Sequence, residues 1–383
     1  MRLGQEPAPI HIAGFGRVTD IETFGGWYYY VWKSLAAQGL LTIAHDLNVS
    51  GDFPIRRFAW QLGAVISGRG TRGYMFSNDF LELVWSRSAP VDSGNWLLNN
   101  FQLYPESLIA RAEAGDICLF YYIDQTLAEL VELYGPVQGL NLSVTHREDI
   151  VARERRGYIA ARKICTFSHR SAEVLKVRYN IDPSKIMTVI PGANLDEAQV
   201  ERVLAGWAPV RPELVVGFIG MDYRRKGLLK LAGAVKAARR AGAPILLRVI
   251  GPRPHELENT PGVELVGRIN KVTEMRRFVE LIASCHLGAL LSSAEALGIS
   301  LLEFLRLGVP VLGSDVGGIP DVVDKEVGVL VAAGTSAQEI AGILTRLAAR
   351  GAEYASLRDR AWRARHNASW QRAAAQLRVA LLT

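Results

Sequence analysis

The chain reads as α/β, with two successive doubly wound domains, each a parallel sheet wrapped by helices. Three observations predict this. Short apolar runs of strand length alternate with longer helical stretches, the order that parallel β-α-β units require. At 383 residues the chain exceeds what one compact core supports. A strand–loop–helix opening also occurs twice, once near the N-terminus and again from Leu214.

In order along the chain, Ile10 to Phe15 is a short apolar strand, and the long loop after it ends at Gly25-Gly26. A helix from about Trp27 to Gln38 follows, stopped by Gly39 as its C-terminal cap. Gly14-Phe15-Gly16 does not complete a G-x-G-x-x-G, so a dinucleotide fingerprint is a poor reading. From about 40 to 115 the pattern is thin. Strands are then expected at Asp116 to Tyr122, Leu140 to Thr145, Lys163 to Phe167 and Ile186 to Ile190, with helices at Glu148 to Ala161 and Ser171 to Tyr179. Pro191, Gly192, Pro209 and Pro212 punctuate a hinge. The second domain opens with the apolar run Leu214 to Gly220, the turn MDYRRKG and an Ala-rich helix. Ile245 to Ile250, Val263 to Val266, Leu287 to Leu291 and Val309 to Leu312 supply its further buried strands.

Composition narrows the class. With 49% hydrophobic and 21% charged residues the chain is globular rather than disordered. No apolar run approaches the roughly 18 to 20 residues that span a bilayer, and MRLGQEPAPIHIAGF lacks the layout of a cleaved signal. Cys118, Cys165 and Cys285 are widely separated within apolar runs, which predicts reduced core thiols and a cytoplasmic setting. The formal charge of +6 suits anionic partners. Basic residues cluster at Arg153, Arg155, Arg156, Arg162 and Lys163, and again at Arg358, Arg360, Arg363 and Arg365. Each cluster is expected to be a solvated helix face before it is a docking patch for an anionic membrane at the inner face.

The segment LGALLSSAEALGISLLEFLRLGVPVLGSDVGGIPDVV, residues 287 to 323, carries the functional information. It sets Glu295 on the loop leaving a buried strand and Glu303 inside the helix that follows, so two carboxylates of different geometry face one crevice. Ala296, Leu297, Gly298 and Ile299 carry the free N–H groups that open this helix, where phosphate is attracted. Gly298 lets the main chain approach a ligand closely. Asp315 and Gly317-Gly318 form a second loop over the same sheet edge.

This combination resembles the E-x7-E signature of the retaining glycosyltransferases of family 4, with Gly298, Gly308, Pro310 and Gly317-Gly318 in register around the two glutamates. The resemblance implies the GT-B fold, two Rossmann-like domains facing an inter-domain cleft. It places an N-terminal acceptor-side domain at 1–196, closed by a returning helix at 366–383, and a nucleotide-sugar-binding domain at 197–365. The stretch 165–196 is similar to the end of the family's first domain, and HNASWQRAAAQLRVALL to its returning helix.

Roles follow from the resemblance. Lys226, in GMDYRRKG, matches the family's phosphate-binding Lys. Met221 departs from the pattern, standing where the family commonly has Arg, so Arg224 or Arg225 is expected to supply the missing cation. Glu295 would accept from donor-sugar hydroxyls and Glu303 from the ribose diol, which two carboxylate oxygens suit. Gly25 and Gly26 match a loop near the donor phosphates and acceptor. His146, expected at a strand end on the inter-domain edge, matches a His that contacts donor sugar or acceptor. Arg268 follows a strand and glycine where main-chain groups usually hold the base.

Glycosyl transfer from a nucleotide sugar needs charge neutralised on the departing diphosphate, and cations and N–H donors do that. There is no D-x-D and no ligand spacing among the seven histidines, so no metal and no cofactor are expected. The partners expected are a nucleotide diphosphate sugar as donor and a saccharide, lipid-linked or small-molecule acceptor, with no nucleic acid. The implied reaction is retaining, metal-independent transfer of a hexose-type sugar to a hydroxyl in bacterial surface-glycan or glycoconjugate assembly. Two alternatives stay open: a GT-B-fold epimerase or phosphorylase, and a catalytically silent sugar-nucleotide-binding protein.

Overall fold

A computed structural model of the chain describes residues 9–48, 53–67, 71–88, 96–99, 103–138, 142–206 and 212–383. It divides into two compact units, Met1–Ile190 with Ala373–Thr383, and Pro191–Arg372. The first unit thus ends at Ile190 rather than Asp196, and the return begins at Ala373 rather than His366. Local bonds explain where the second unit starts and stops. Ala193 N–H donates to Ala368 O (2.8 Å) and Trp370 Nε1 to Asn194 Oδ1 (3.0 Å), tying the two connecting segments together. A Cβ on Gly192 would sit 2.2 Å from Trp370 N, so only glycine allows this contact. The helix Trp370–Leu382 begins in the second unit and ends in the first.

The first unit's sheet is built from β1 (Ile10–Phe15), β2 (Thr42–Leu47), β3 (Trp96–Asn99), β4 (Cys118–Ile123), β5 (Lys163–Thr166) and β6 (Ile186–Thr188). Their order is β2-β1-β3-β4-β5-β6, all parallel, with Ile10 opposite both Thr42 and Trp96. Fully buried runs such as β1 fit a sheet covered on both faces. Phe80, Tyr104, Tyr121, Tyr158, Leu175 and their neighbours fill the core. Within it, Glu154 is fully buried and accepts from Leu127 N–H (2.9 Å), Tyr158 OH (2.7 Å) and Tyr179 OH.

Of the expected strand Leu140 to Thr145, the described residues, 142–145, form no strand. Leu140 lies outside the described residues, as does Pro209 of the expected hinge, and from Val144 the chain is helical to Ala160. Ser143 ends the extended segment and caps the helix, its Oγ accepting from His146 N–H at 3.3 Å. The helix therefore starts before Glu148, and His146 sits in its first turn rather than at a strand end. Strands β2 and β3 fall where the sequence pattern is thin. Gly39 takes a left-handed φ of 77° and ends the helix Trp27–Ala37, as expected of a C-terminal cap.

The second unit's sheet comprises β7 (Leu214–Ile219), β8 (Ile245–Ile250), β9 (Val263–Gly267), β10 (Leu287–Leu290), β11 (Val311–Ser314) and β12 (Gly328–Val331). The order is β12-β11-β10-β7-β8-β9, again parallel. Counted within the unit this is 3-2-1-4-5-6 read from β9, the doubly wound order of a Rossmann domain. Its core gathers Leu214, Val216, Phe218, Leu231, Leu247, Leu287, Leu312 and Ile340. Strand β12, unmarked in the sequence reading, completes the edge before the capping box of Ser336 and Glu339 opens the helix Ala337–Ala348.

Candidate functional site

Strands β7 and β10 are neighbours, yet the chain leaves one toward β8 and the other toward β11. This is the topological switch point, where a crevice opens beyond the strands' carboxyl ends. Two loops meet there, 220–227 after β7 and 291–298 after β10. Ser293 N–H donates to Arg225 O at 2.8 Å, and a Cβ on Gly227 would fall 2.2 Å from Leu291 O. Glycine at 227, with φ of 75°, permits that approach and starts the helix Leu228–Arg240.

Glu295 is buried, and its Oε2 accepts from Lys226 Nζ (3.1 Å), Arg225 Nη1 (3.2 Å) and Ser292 Oγ (3.2 Å). Burial pushes its carboxyl upward, but the charges of Lys226 and Arg225 outweigh burial and hold it below the usual carboxylate range. The Lys226 side chain runs across Gly220, where a Cβ would meet its Cδ at 2.3 Å. Arg225 also donates to Asp222 Oδ2 (2.9 Å) and to Ala294 O (2.5 Å), so its guanidinium is clamped between the loops. Lys226 has three N–H donors and, among the described residues, spends one on Glu295, leaving two for an anion.

The structure separates the two arginines. Arg224 turns outward to Glu256 Oε1 (2.7 Å) and packs on Tyr223, so Arg225 is the one that joins Lys226. Met221 is exposed on the same loop.

The helix Ile299–Arg306 opens at Gly298, whose φ of 96° lets the chain turn in without a side-chain cap. Leu297 is buried beneath it and Ile299 is half-buried at the first turn. Gly317 (φ 59°) presses on the same loop: a Cβ there would stand 1.6 Å from Glu295 O. Ser314 Oγ donates to Ser292 O at 2.9 Å, fixing the loop from the β11 side. Glu303, one helical span further on, is buried and takes an ion pair from Lys271 Nζ.

Lys271 is a site residue that the sequence reading missed. Its ammonium lies 3.4 Å from Asn194 O and 4.5 Å from the centre of the Phe278 ring, so it reaches Glu303 over an aromatic floor. The available signal was a lysine in a glycine-led loop after a strand, the context that also marks Lys226. Arg268, in that loop, is exposed.

His146, Gly25 and Gly26 belong to the first unit. Gly25 and Gly26 both have positive φ, and a Cβ on Gly26 would meet Ile21 O at 2.8 Å. His146 is buried; its Nε2 is 3.4 Å from Gly73 O and its ring packs 5.5 Å from Trp60. It lines an open pocket of about 1060 Å³ with Trp60, Tyr74, Glu82, Asp149 and Arg153.

Residues 213–350, all within the second unit, match the family model described as Glycosyl transferases group 1. The chain is 29% identical over 221 residues to a D-inositol 3-phosphate glycosyltransferase of Rhodococcus erythropolis, covering 53% of this chain and 49% of that protein. To the 2-deoxystreptamine glucosyltransferase of Streptomyces kanamyceticus it is 26% identical over 214 residues, 52% of this chain and 54% of the other. The chain spans about half the length of the curated relatives it matches. Among solved structures, sucrose-phosphate synthase from Thermosynechococcus elongatus superposes with a TM-score of 0.65 at 16% identity, covering 97% of this chain and 98% of that one. The fold is GT-B, two Rossmann-like α/β domains.

Proposed function

We propose that the chain is a retaining glycosyltransferase of the family 4 type, moving a hexose-type sugar from a nucleotide diphosphate sugar to an acceptor hydroxyl. The observation that carries the reading is the meeting of Lys226 and Arg225 on Glu295 at the switch point, beside the uncapped helix start at Gly298. An anionic diphosphate there would meet the two spare donors of Lys226 and the first N–H groups of the helix. Glu295, already ionised, accepts from sugar hydroxyls, and Glu303 accepts from the ribose diol once Lys271 yields or shares it. The family match over 213–350 and the transferase names of the curated relatives support the same activity.

In this reading the leaving oxygen takes the proton of the attacking hydroxyl on the face it departs from, so the anomeric configuration is kept with no enzyme nucleophile. Lys226 and Arg225 stabilise the diphosphate as its charge grows, in place of a metal. We assign the first unit, with its His146-lined pocket, to the acceptor: a saccharide, lipid-linked or small-molecule alcohol in surface-glycan or glycoconjugate assembly.

A panel of nucleoside diphosphates and nucleotide sugars, scored by thermal shift, tests the donor site. A ligand at 100 times its dissociation constant should stabilise by about 2.7 kcal/mol. Proton NMR of the product then reads the anomer. A stabilising nucleotide sugar whose anomeric configuration survives in the product supports the proposal; inversion, or no stabilisation across the panel, overturns it.

A further inference from the structure

The arginines of the second basic cluster do not share one role. Arg360 donates to Lys325 O, Arg363 pairs with Asp359 at 2.7 Å, and Arg365 donates to Trp362 O while its guanidinium lies 4.1 Å from the centre of the Trp362 ring. Arg358 differs: its Nη1 is buried with no hydrogen-bond partner among the described residues. The same holds for Nε of Arg350, and the two side chains line one open cavity of about 510 Å³ with Tyr354, Ala355, Asp359 and Trp362. In the first cluster, Arg155 donates to Tyr179 O, Arg156 pairs with Glu113 at 2.6 Å and Lys163 donates to Ser184 O, so those cations are spent within the protein.

The cavity lies at the opposite end of the second sheet from Glu295. Arg350 Nη2 donates to Glu213 O and stands 2.9 Å from His286 Nε2, and Tyr354 OH donates to His286 O at 3.1 Å. Glu213 and His286 immediately precede β7 and β10, whereas Lys226 and Glu295 follow the carboxyl ends of the same strands. Arg350 reaches this position on a left-handed φ of 48°, rare for a residue with a side chain. Burial pushes the guanidinium of Arg358 below its ordinary range. The groups that face it, Tyr354 and Cys285, are both pushed up by burial, the thiol to about 12, so neither supplies a negative charge at neutral pH. Asp359, the carboxylate in the lining, is already paired with Arg363.

We propose that this cavity is a second anion site, separate from the donor crevice, and that it takes a small phosphomonoester carrying a ring. The fold leaves donors on both guanidiniums unspent, Nε on Arg350 and Nη1 on Arg358, and a phosphate seated between the two takes them up with a small turn of each group. A cation buried without a counter-charge costs stability, and an arriving phosphate removes that cost. The ring follows from size and lining. A cavity of about 510 Å³ is the volume of a small-molecule site rather than of a bare phosphate, and Trp362, 37% exposed, offers an aromatic wall beside the arginines.

The test is calorimetric titration of phenyl phosphate, and of inorganic phosphate, into the full chain. Lys226→Met is titrated alongside, which keeps the donor crevice out of the reading. Wild type and Lys226→Met should bind phenyl phosphate alike, and at least about tenfold more tightly than inorganic phosphate. Arg358→Met should weaken phenyl phosphate at least about tenfold without lowering the melting temperature, because it removes a buried charge that has no partner. Ala355→Glu changes an exposed helical position and keeps both arginines; its carboxylate competes for them, so it should weaken phenyl phosphate to a similar degree. Wild type that takes up no phenyl phosphate, or equal affinity in wild type and Ala355→Glu, overturns the proposal. So does binding lost in Lys226→Met, which would assign the anion to the donor crevice, and so does inorganic phosphate that binds as tightly as phenyl phosphate.

Discussion

Nζ of Lys226 stands 3.1 Å from Oε2 of Glu295, across two loops that leave neighbouring strands. Both side chains are largely buried, so each partner is needed to offset the burial of the other. Replacing Lys226 with Met should lower the transfer rate at least tenfold, since a cation facing a developing oxyanion typically contributes several kcal/mol. Arg225 keeps one charge beside Glu295, which should leave the fold intact. Steady-state kinetics with circular dichroism on the same samples check this; unchanged turnover would remove Lys226 from the mechanism.

The two glutamates should fail differently. Glu295→Ala should abolish transfer and weaken nucleoside diphosphate binding little, because its proposed partner is the sugar, whereas Glu303→Ala should weaken the nucleotide itself. Each lost charged hydrogen bond costs roughly 1.5 to 3 kcal/mol. Calorimetric titration of both variants decides it, and equal loss of nucleotide affinity would show the division of labour to be wrong.

Lys271 adds a constraint on the second carboxylate. It pairs with Glu303, so under the proposed roles a ribose diol would compete with an ammonium for the same oxygens. Lys271→Met should change nucleotide affinity and leave Glu303→Ala with little further effect in the double variant. Independent, additive losses would mean that the pair is remote from the ligand.

How much of this was legible follows from what each residue depends on. Glu295, Lys226 and Gly298 stood out because strand ends, glycine turns and helix starts are local patterns, and the parallel order of the second sheet follows from buried apolar runs. The choice of Arg225 over Arg224 was not legible, since adjacent residues differ only in direction, which Glu256 and Asp222 settle through space. Lys271 shares the glycine-led loop context of Lys226, but what makes it part of the site is its pairing with Glu303, which is distant in sequence. His146 is expected at a strand end because LNLSV alternates, yet Ser143 caps a helix there and hydrogen bonding outweighs the alternation. The helix Phe53–Ile66 lay within the thin stretch, since it also exposes apolar residues such as Ile55 and Phe58 and so does not follow the one-sided pattern of a buried helix.

Gly317 should be irreplaceable. Its left-handed φ and a Cβ position 1.6 Å from Glu295 O mean that Gly317→Ala must displace the loop that aims Glu295. Transfer should fall more than the unfolding midpoint does, and retained activity would show that the loop's position is not critical.

Stability should depend on pH through Glu154. Burial pushes this carboxyl from 4.5 up to about 7. The folded state therefore holds a proton that the unfolded state has released, and stability declines as pH rises from the lower value to the higher. Glu154→Gln keeps a neutral, hydrogen-bonding side chain, so it should be more stable than wild type above about pH 7 and similar to it near pH 4.5. Melting curves across that interval are the check, and parallel profiles would show that Glu154 is already ionised in the fold.

The central claim is that cations of the second unit, rather than a metal ion, hold the donor's diphosphate. It is tested most directly by titrating a nucleoside diphosphate into wild type and Lys226→Met by calorimetry, each in EDTA and each again with magnesium. The account predicts tight binding to wild type in EDTA, little gain from magnesium, and affinity at least about tenfold lower in Lys226→Met. Binding that appears only with magnesium, or that is equal in the two proteins, would contradict it.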